Sequence, residues 1–268
     1  MNALAEAGAA LIGGVLDHAT TVHGGDLSDV VLIRLADGRE AVVKSGPAPR
    51  TEAAMLAAIS ATGAPAPAVL AVDDRTLVIE QLPTRGSLSY AWENLGVAVA
   101  TLHGAQGPRY GWRESYACGL VRIDNRWSED WPAFWAEQRL GPHRGHIDAS
   151  LSRRIDRLVG RLPELLPATP EPALLHGDLW SGNVLVDHDH VTGLIDPACY
   201  YGHGEVDLAM LSLFGQPGRS FFDAYGTLDP GFEQRRPIYQ LWPALMHLRL
   251  FGVGYASLVD RLLREAGV

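Results

Sequence analysis

His176-Gly177-Asp178-Leu179-Trp180-Ser181-Gly182-Asn183, followed after a short strand-like stretch by Asp196, is the part of this chain that decides its reading. Asp178 and Asn183 stand five residues apart. Asp196 comes thirteen residues after Asn183, just past the apolar run Thr192-Gly193-Leu194-Ile195. H-x-D-x-x-x-x-N, a strand pair and then an Asp is the order in which kinase-type phosphoryl-transfer sites present their side chains. An isolated Asp is usually a turn or capping residue. The three together carry a chemical assignment. Asp178 accepts or orients the attacking hydroxyl, Asn183 offers a neutral oxygen to Mg²⁺, and Asp196 offers an anionic one beside the phosphates of ATP. Such a transition state needs positioning and charge neutralisation more than covalent help.

Working outward towards the N-terminus, Val30 to Leu35 and Glu40 to Lys44 read as two strands joined by an Asp37-Gly38 turn. A helix is expected from Thr51 to Ile59 with Thr51 as N-cap. Two more strands, Ala68 to Val72 and Thr76 to Glu80, complete a small antiparallel sheet. Lys44 ends one strand, where a kinase places the lysine that contacts the α- and β-phosphates, and Glu52 opens the next helix. An ion pair between them would aim Lys44 into a cleft. His23-Gly24-Gly25-Asp26-Leu27-Ser28 precedes the first good strand, so Gly24, Gly25 and Ser28 are candidate phosphate contacts, although the loop is not a full G-x-G-x-x-G. Position alone makes the backbone of Glu80 and Leu82 a candidate for adenine. Ala5 to Leu16 reads as a surface helix.

Leu82-Pro83-Thr84-Arg85-Gly86 ends the strand pattern and reads as the hinge between two lobes, residues 1–82 for nucleotide and 83–268 for catalysis and acceptor binding. Ser87 is the expected cap of a helix reaching His103, with Leu88, Trp92, Leu95, Val99 and Leu102 on its apolar face. Tyr200, Tyr201 and His203 follow Asp196 closely and are candidate acceptor contacts. Other clusters have plainer readings. Asp187-His188-Asp189-His190 reads as a solvated hairpin tip rather than a metal tract. Trp127, Trp131 and Trp135 read as one packed helix stripe, and His176 and Asp207 as organisers of the catalytic loop. The fold expected is α+β and two-lobed, like a protein kinase, with a small antiparallel-sheet N-lobe and a larger, mainly helical C-lobe.

Bulk properties narrow the partners. The chain has 268 residues, 47% hydrophobic and 20% charged, which is ordinary for a globular protein able to bury a large core. A net charge of −9 argues against nucleic acid, which needs basic patches. No apolar run is long enough to span a membrane. Two cysteines without ligand spacing make a disulfide framework unattractive, and with no basic n-region at the start the expected compartment is the cytoplasm.

Beyond the short motif, HGDLWSGN at 176–183, IDPACYYGHGEVDLAM at 195–210, RLGPH at 139–143, the stretch 228–241 and HLRLFGVGY at 247–255 resemble the fructosamine/ketosamine kinase family, a branch of the aminoglycoside phosphotransferase group. The resemblance spans most of the chain. It implies ATP-dependent phosphorylation of a ketosamine, small or protein-bound, at the hydroxyl of the third sugar carbon, after which the unstable product frees the amine, a deglycation role. It also implies that Asp178 is the family's catalytic aspartate, that Asn183 and Asp196 are its metal ligands and that Lys44 and Glu52 are its ion pair. Trp180 of the signature could pack on the sugar ring. One departure stands out: Gly204 replaces the arginine of the family's common GHREADLAM. A kinase of the same fold acting on an aminoglycoside, choline or another alcohol is the alternative within the class, and a nucleotide-binding pseudokinase the alternative outside it.

Overall fold

The computed structural model describes residues 3–22 and 28–268. Its N-terminal lobe runs α1 (Ala3–Leu11), β1 (Leu16–Val22), β2 (Val30–Leu35), β3 (Glu40–Ser45), α2 (Pro49–Ala61), β4 (Val69–Val72) and β5 (Thr76–Glu80). The five strands form an antiparallel sheet in the order β1-β2-β3-β5-β4. Strand side chains alternate between faces. Val31, Ile33, Ala41 and Val43 pack beneath Ala5 and Ala9 of α1 on one face. Leu77 and Ile79 pack against Ala53 and Leu56 of α2 in a second, separate cluster. Lys44, next to Val43, belongs to the face opposite α1.

Three expectations change here. The N-terminal helix stops at Leu11 rather than Leu16, and β1 follows as an edge strand. Pro49 sits in the first turn of α2, so the helix starts before Thr51, which is not its cap. Ser87 caps only a short 3₁₀ turn, Leu88–Tyr90, accepting from the Ser89 amide, and the long helix begins at Trp92.

The C-terminal lobe contains α3 (Trp92–His103), the hairpin β6 (Tyr116–Cys118) and β7 (Val121–Ile123), then α4 (Trp131–Phe134), α5 (Ala149–Val159), α6 (Leu162–Leu165) and β8 (Ala173–Leu175). It continues with the hairpin β9 (Val184–Asp187) and β10 (His190–Leu194), then β11 (Tyr200–Gly202), α7 (Glu205–Leu211), α8 (Arg219–Tyr225), α9 (Phe232–Phe251) and α10 (Ala256–Glu265). One large core joins α3, α4, α7 and α9, with Trp131 and Trp135 fully buried at its centre. Trp127 is outside the helix and stacks on Tyr201 instead, 6.2 Å between ring centroids. A buried cation replaces an apolar residue in this core. Arg139 is 0% exposed and lies 4.0 Å from the Tyr200 ring centroid and 4.8 Å from that of Trp242. No described helix is long and apolar enough to cross a membrane.

The linker between β5 and α3 is tied to the β9–β10 hairpin. Arg85 donates two hydrogen bonds to the Asp187 carboxylate (3.0 and 2.9 Å), Gly86 N–H donates to the Val186 carbonyl (2.9 Å), and Thr192 Oγ1 donates to the Pro83 carbonyl (2.9 Å). These bonds fasten the linker to the hairpin that precedes Asp196.

Candidate active site

The loop between β8 and β9 is built around one buried carboxylate. Asp207, 0% exposed at the start of α7, accepts from the amides of His176 (2.7 Å) and Gly177 (2.9 Å) and contacts His103 Nε2 (3.1 Å). Gly177 turns the chain at φ +81°. A Cβ there would lie 2.1 Å from the Ala198 carbonyl oxygen, so the position requires glycine twice over. His176 Nδ1 accepts from the Asp178 amide (3.3 Å), which leaves Nε2–H to donate to the Ile195 carbonyl (3.0 Å). Burial lowers the His176 pKa, keeping the ring neutral in this bridge. Its role is thus to hold the segment before Asp196 against the loop that carries Asp178.

Asn183 Nδ2 donates to the Asp178 carbonyl (2.8 Å) and to Asp178 Oδ2 (3.0 Å). The amide oxygen of Asn183 is therefore left for another partner. Burial raises the Asp178 pKa to about 6, with the charges of Asp196 and Asp207 adding to it and the Asn183 bond opposing. Asp196 adopts φ +55°, rare for a residue with a side chain and worth roughly 1–3 kcal/mol of strain. Its carboxylate hydrogen-bonds Lys44 Nζ, which also bonds Glu52. Burial alone would lower the Lys44 pKa, but Glu52 and Asp196 outweigh it and the ammonium is held charged. Burial raises the Glu52 pKa against the pull of Lys44.

These groups line a cavity of about 530 Å³ between the lobes, which Lys44, Glu52, Asp178, Asn183, Asp196, Ser28 and Trp180 all border. The donor set fits Mg²⁺: Asn183 offers a free amide oxygen and Asp196 a carboxylate that is 41% exposed, both hard oxygen ligands. Gly24 and Gly25 lie outside the described residues. Glu80 and Leu82 border a different, open groove of about 850 Å³ at the far end of the sheet, with none of the catalytic groups in its lining. The Glu80 amide is taken by the Ala68 carbonyl (2.9 Å) and its carboxylate by the Ala68 amide (3.2 Å), so Glu80 has no donor left for adenine. Among the described residues the Leu82 backbone makes no hydrogen bond.

Three acceptor candidates are corrected. Pairing of β11 with β8 turns Tyr200 into the core, where it is 0% exposed and stacked near Phe134. Tyr201 packs over Gly107 and between Trp112 and Trp127, away from the cavity. His203 is buried on the Tyr239 hydroxyl (2.9 Å). With Glu205 and Asp229 it makes the one His/Asp/Glu cluster close enough to hold a cation among the described residues, but Arg235 already engages Glu205 through two hydrogen bonds (2.5 and 2.7 Å). The cavity wall unforeseen from sequence is the hairpin β6–β7 together with α7, the segment after it and α9, including Met210, Phe214, Met246 and Phe251. Only their chain-distant convergence reveals them.

The two lobes, the hairpin-borne Asp196 and the Lys44–Glu52 pair define a kinase-like fold. A distant neighbour, an aminoglycoside phosphotransferase solved with AMP-PNP and hygromycin B, superposes with a TM-score of 0.68 over 96% of this chain and 97% of that one, at 16% identity, and speaks for the fold alone. The chain belongs to the fructosamine kinase family, whose sequence model matches residues 10–266. A candidate fructosamine-3-kinase from Thermobifida fusca superposes with a TM-score of 0.91 at 33% identity, covering 99% of both chains. A probable ketoamine kinase of Synechocystis is 36% identical over 201 residues, 70% of this chain and 66% of the relative. The chloroplastic protein-ribulosamine 3-kinase of Arabidopsis thaliana is 37% identical over 185 residues, 63% of this chain and 56% of the relative. The chain thus spans somewhat less than two thirds of the length of these curated relatives.

Proposed function

We propose that this protein is a cytoplasmic, ATP- and Mg²⁺-dependent kinase that phosphorylates ketosamines at the hydroxyl of the third sugar carbon, as a step in deglycation. The observation that carries the reading is the convergence, in one cavity of a fructosamine kinase family chain, of Asp178, Asn183 and Asp196 with a lysine held by two carboxylates. Family relatives named ketoamine kinase and protein-ribulosamine 3-kinase support the acceptor class.

Each residue has a task that its surroundings explain. Lys44, charged and fixed by Glu52, binds the α- and β-phosphates. Asn183 and Asp196 would hold the metal, which when bound neutralises phosphate charge. Asp178 orients the acceptor hydroxyl and takes its proton. A pKa near 6 leaves it ionised at neutral pH yet closer to the working pH than an exposed aspartate. Trp180, 39% exposed at the cavity mouth, offers a ring face to the sugar.

ADP release measured on fructosyl-, ribulosyl- and erythrulosyl-amines, with Asp178→Ala and Asp196→Ala alongside, tests the proposal. Turnover on at least one ketosamine, lost in Asp178→Ala and stripped of its Mg²⁺ response in Asp196→Ala, is expected. Wild-type turnover in Asp178→Ala rejects the assigned chemistry. Turnover on aminoglycosides or choline alone moves the protein to the other acceptor class, and turnover on nothing moves it to the pseudokinases.

A further inference from the structure

We infer that Gly182 sets acceptor recognition through Trp180: lacking a Cβ, it leaves room for the indole to lie back over its own loop, and that pose makes the ring a preformed contact for the sugar of the acceptor. The inference rests on the ketosamine reading above and deepens it. Gly182 is a positioning residue in it and touches no substrate itself.

The outer end of the indole occupies the space that a side chain at 182 would take. A Cβ on Gly182 would lie 2.3 Å from Cη2, 2.4 Å from Cζ2 and 2.8 Å from Cζ3 of Trp180. Carbon atoms in ordinary contact stand about 3.5–4.0 Å apart, so any larger residue displaces that end of the ring by about 1 Å or more. The displaced atoms are the tip of a side chain that is 39% exposed, and they can move without disturbing the core. Gly182 is outside the left-handed backbone region, so an alanine there meets the ring and no backbone strain. The loop itself is fixed. Asn183 N–H donates to the Trp180 carbonyl (3.0 Å), which closes a turn over residues 180–183, and Asn183 Nδ2 ties that turn to the Asp178 carboxylate (3.0 Å). With the backbone held, the place of the ring relative to Asp178 is decided by its rotamer, and Gly182 is what admits the one observed.

Distance and chemistry both suit a sugar. Asp178 and Trp180 border the same cavity, and two residues of chain separate their Cα atoms by at most about 7 Å. A hydroxyl that gives its proton to Asp178 stands about 2.6–3.2 Å from that carboxylate, so the carbons bonded to it come within reach of the neighbouring indole. Trp112, Trp131 and Trp135 are buried and spend their rings on the core. Trp180 keeps its ring at the cavity. Among the described residues it stacks on no other ring, and its Nε1–H donates to nothing. An apolar ring with one uncommitted donor complements the alternating C–H and hydroxyl groups of a sugar.

The test reads the pose of the ring separately from turnover. The chain has seven tryptophans, and after labelling with 5-fluorotryptophan the ¹⁹F resonance lost in Trp180→Phe is that of Trp180. In Gly182→Ala that resonance should move while the others stay. ADP release is then measured, with Mg²⁺ and ATP, on whichever fructosyl-, ribulosyl- or erythrulosyl-amine the wild type turns over best. Gly182→Ala should lower kcat/KM for the acceptor about tenfold, a modest loss for a contact misplaced by about 1 Å, and leave the KM for ATP and the Tm near wild type. In the Trp180→Ala background the same substitution should cost less than about twofold, because the ring it displaces is gone. An unmoved Trp180 resonance, a wild-type acceptor kcat/KM in Gly182→Ala, or a loss of equal size with and without the ring overturns the inference while ketosamine kinase activity stands. Wild-type turnover of none of the adducts overturns the ketosamine reading, and this inference with it, whatever the resonances do.

Discussion

Replacing Asp178 by Asn should abolish turnover and, at the same time, make the protein more stable. The carboxylate is ionised in a place where burial and the nearby charges of Asp196 and Asp207 oppose it, and its pKa rises from the ordinary 3.8 to about 6. An acid whose pKa is raised by folding costs stability wherever it is ionised in the folded state. The cost is complete above about pH 6 and absent below about pH 4. At about 1.4 kcal/mol per pH unit of difference, it comes to about 3 kcal/mol at pH 8 and falls to about half that at pH 5. Asparagine removes the charge and keeps an oxygen to accept from Asn183 Nδ2, the bond that is 3.0 Å in the wild type. In a chain of this size, about 3 kcal/mol corresponds to roughly 5–10 °C in Tm. Calorimetry of Asp178→Asn against wild type at pH 8 and pH 5, with ADP release measured in parallel, checks both halves. A variant that melts at or below wild type at pH 8, or one whose gain is the same at both pH values, refutes the reasoning.

The same carboxylate sets the activity profile: wild-type kcat/KM should fall as pH drops through about 6, because the proton acceptor is lost, and a profile flat to pH 5 contradicts the role of Asp178. Lys44→Met leaves Glu52 and Asp196 facing each other, so chemical denaturation should show a loss of about 2–3 kcal/mol, discounted for the half-exposed Asp196, and Lys44→Met/Glu52→Gln should recover part of it without recovering activity. Gly177→Ala places a methyl group 2.1 Å from the Ala198 carbonyl, and should lower the yield of folded protein or cost at least about 3 kcal/mol in denaturant titration. Gly204→Ala brings its methyl to 3.0 Å from His103 Nδ1 and 3.1 Å from the Tyr225 hydroxyl, and should cost about 1–3 kcal/mol by pushing His103 off Asp207, an effect visible as a lower Tm.

Legibility in the sequence follows the range of the interactions. The strip from His176 to Asp196 reads directly because its geometry is local: five residues separate the two groups joined by Asn183 Nδ2, and one hairpin carries the chain to Asp196. Lys44 and Glu52 read almost as well, since a strand end and the next helix start are close in space as in sequence. β1 was harder, with most of its residues exposed and only Leu16 and Ala19 half-buried, so it lacks a clean alternation. Yet Gly13 at φ +66° marks the end of α1, a signal the Gly13-Gly14 pair carries in plain sight. Tyr200, Tyr201 and His203 mislead because nearness in sequence to Asp196 suggests nearness in space, whereas pairing with β8 sends alternate side chains of β11 into the core and the opposite surface. The aromatic wall of α9 has no local signature at all. It faces the cavity only because α9 packs on α7, whose Asp207 holds the catalytic loop.

The charge pattern of the cleft explains why such an arrangement is useful although it is not the most stable one. Glu52, Asp178 and Asp196 set three carboxylates against the single ammonium of Lys44, a local excess of two negative charges inside a partly buried cavity. The protein does not relieve the excess with a second lysine. It spends Arg139, its fully buried cation, on the aromatic faces of Phe134, Tyr200 and Trp242 and on the Asp124 carbonyl and the Asn125 side chain, away from any carboxylate. It also keeps His176 neutral between two backbone groups. A second fixed cation would compete for the oxygens of Asp196 and lower the Asp178 pKa towards that of an exposed acid. On the function proposed above, a divalent ion held by Asn183 and Asp196 would match the excess. The raised pKa of Asp178 and the unshared oxygen of Asn183 both fit that reading: the site is short of positive charge on its own, and its free oxygens are of the kind a hard cation takes.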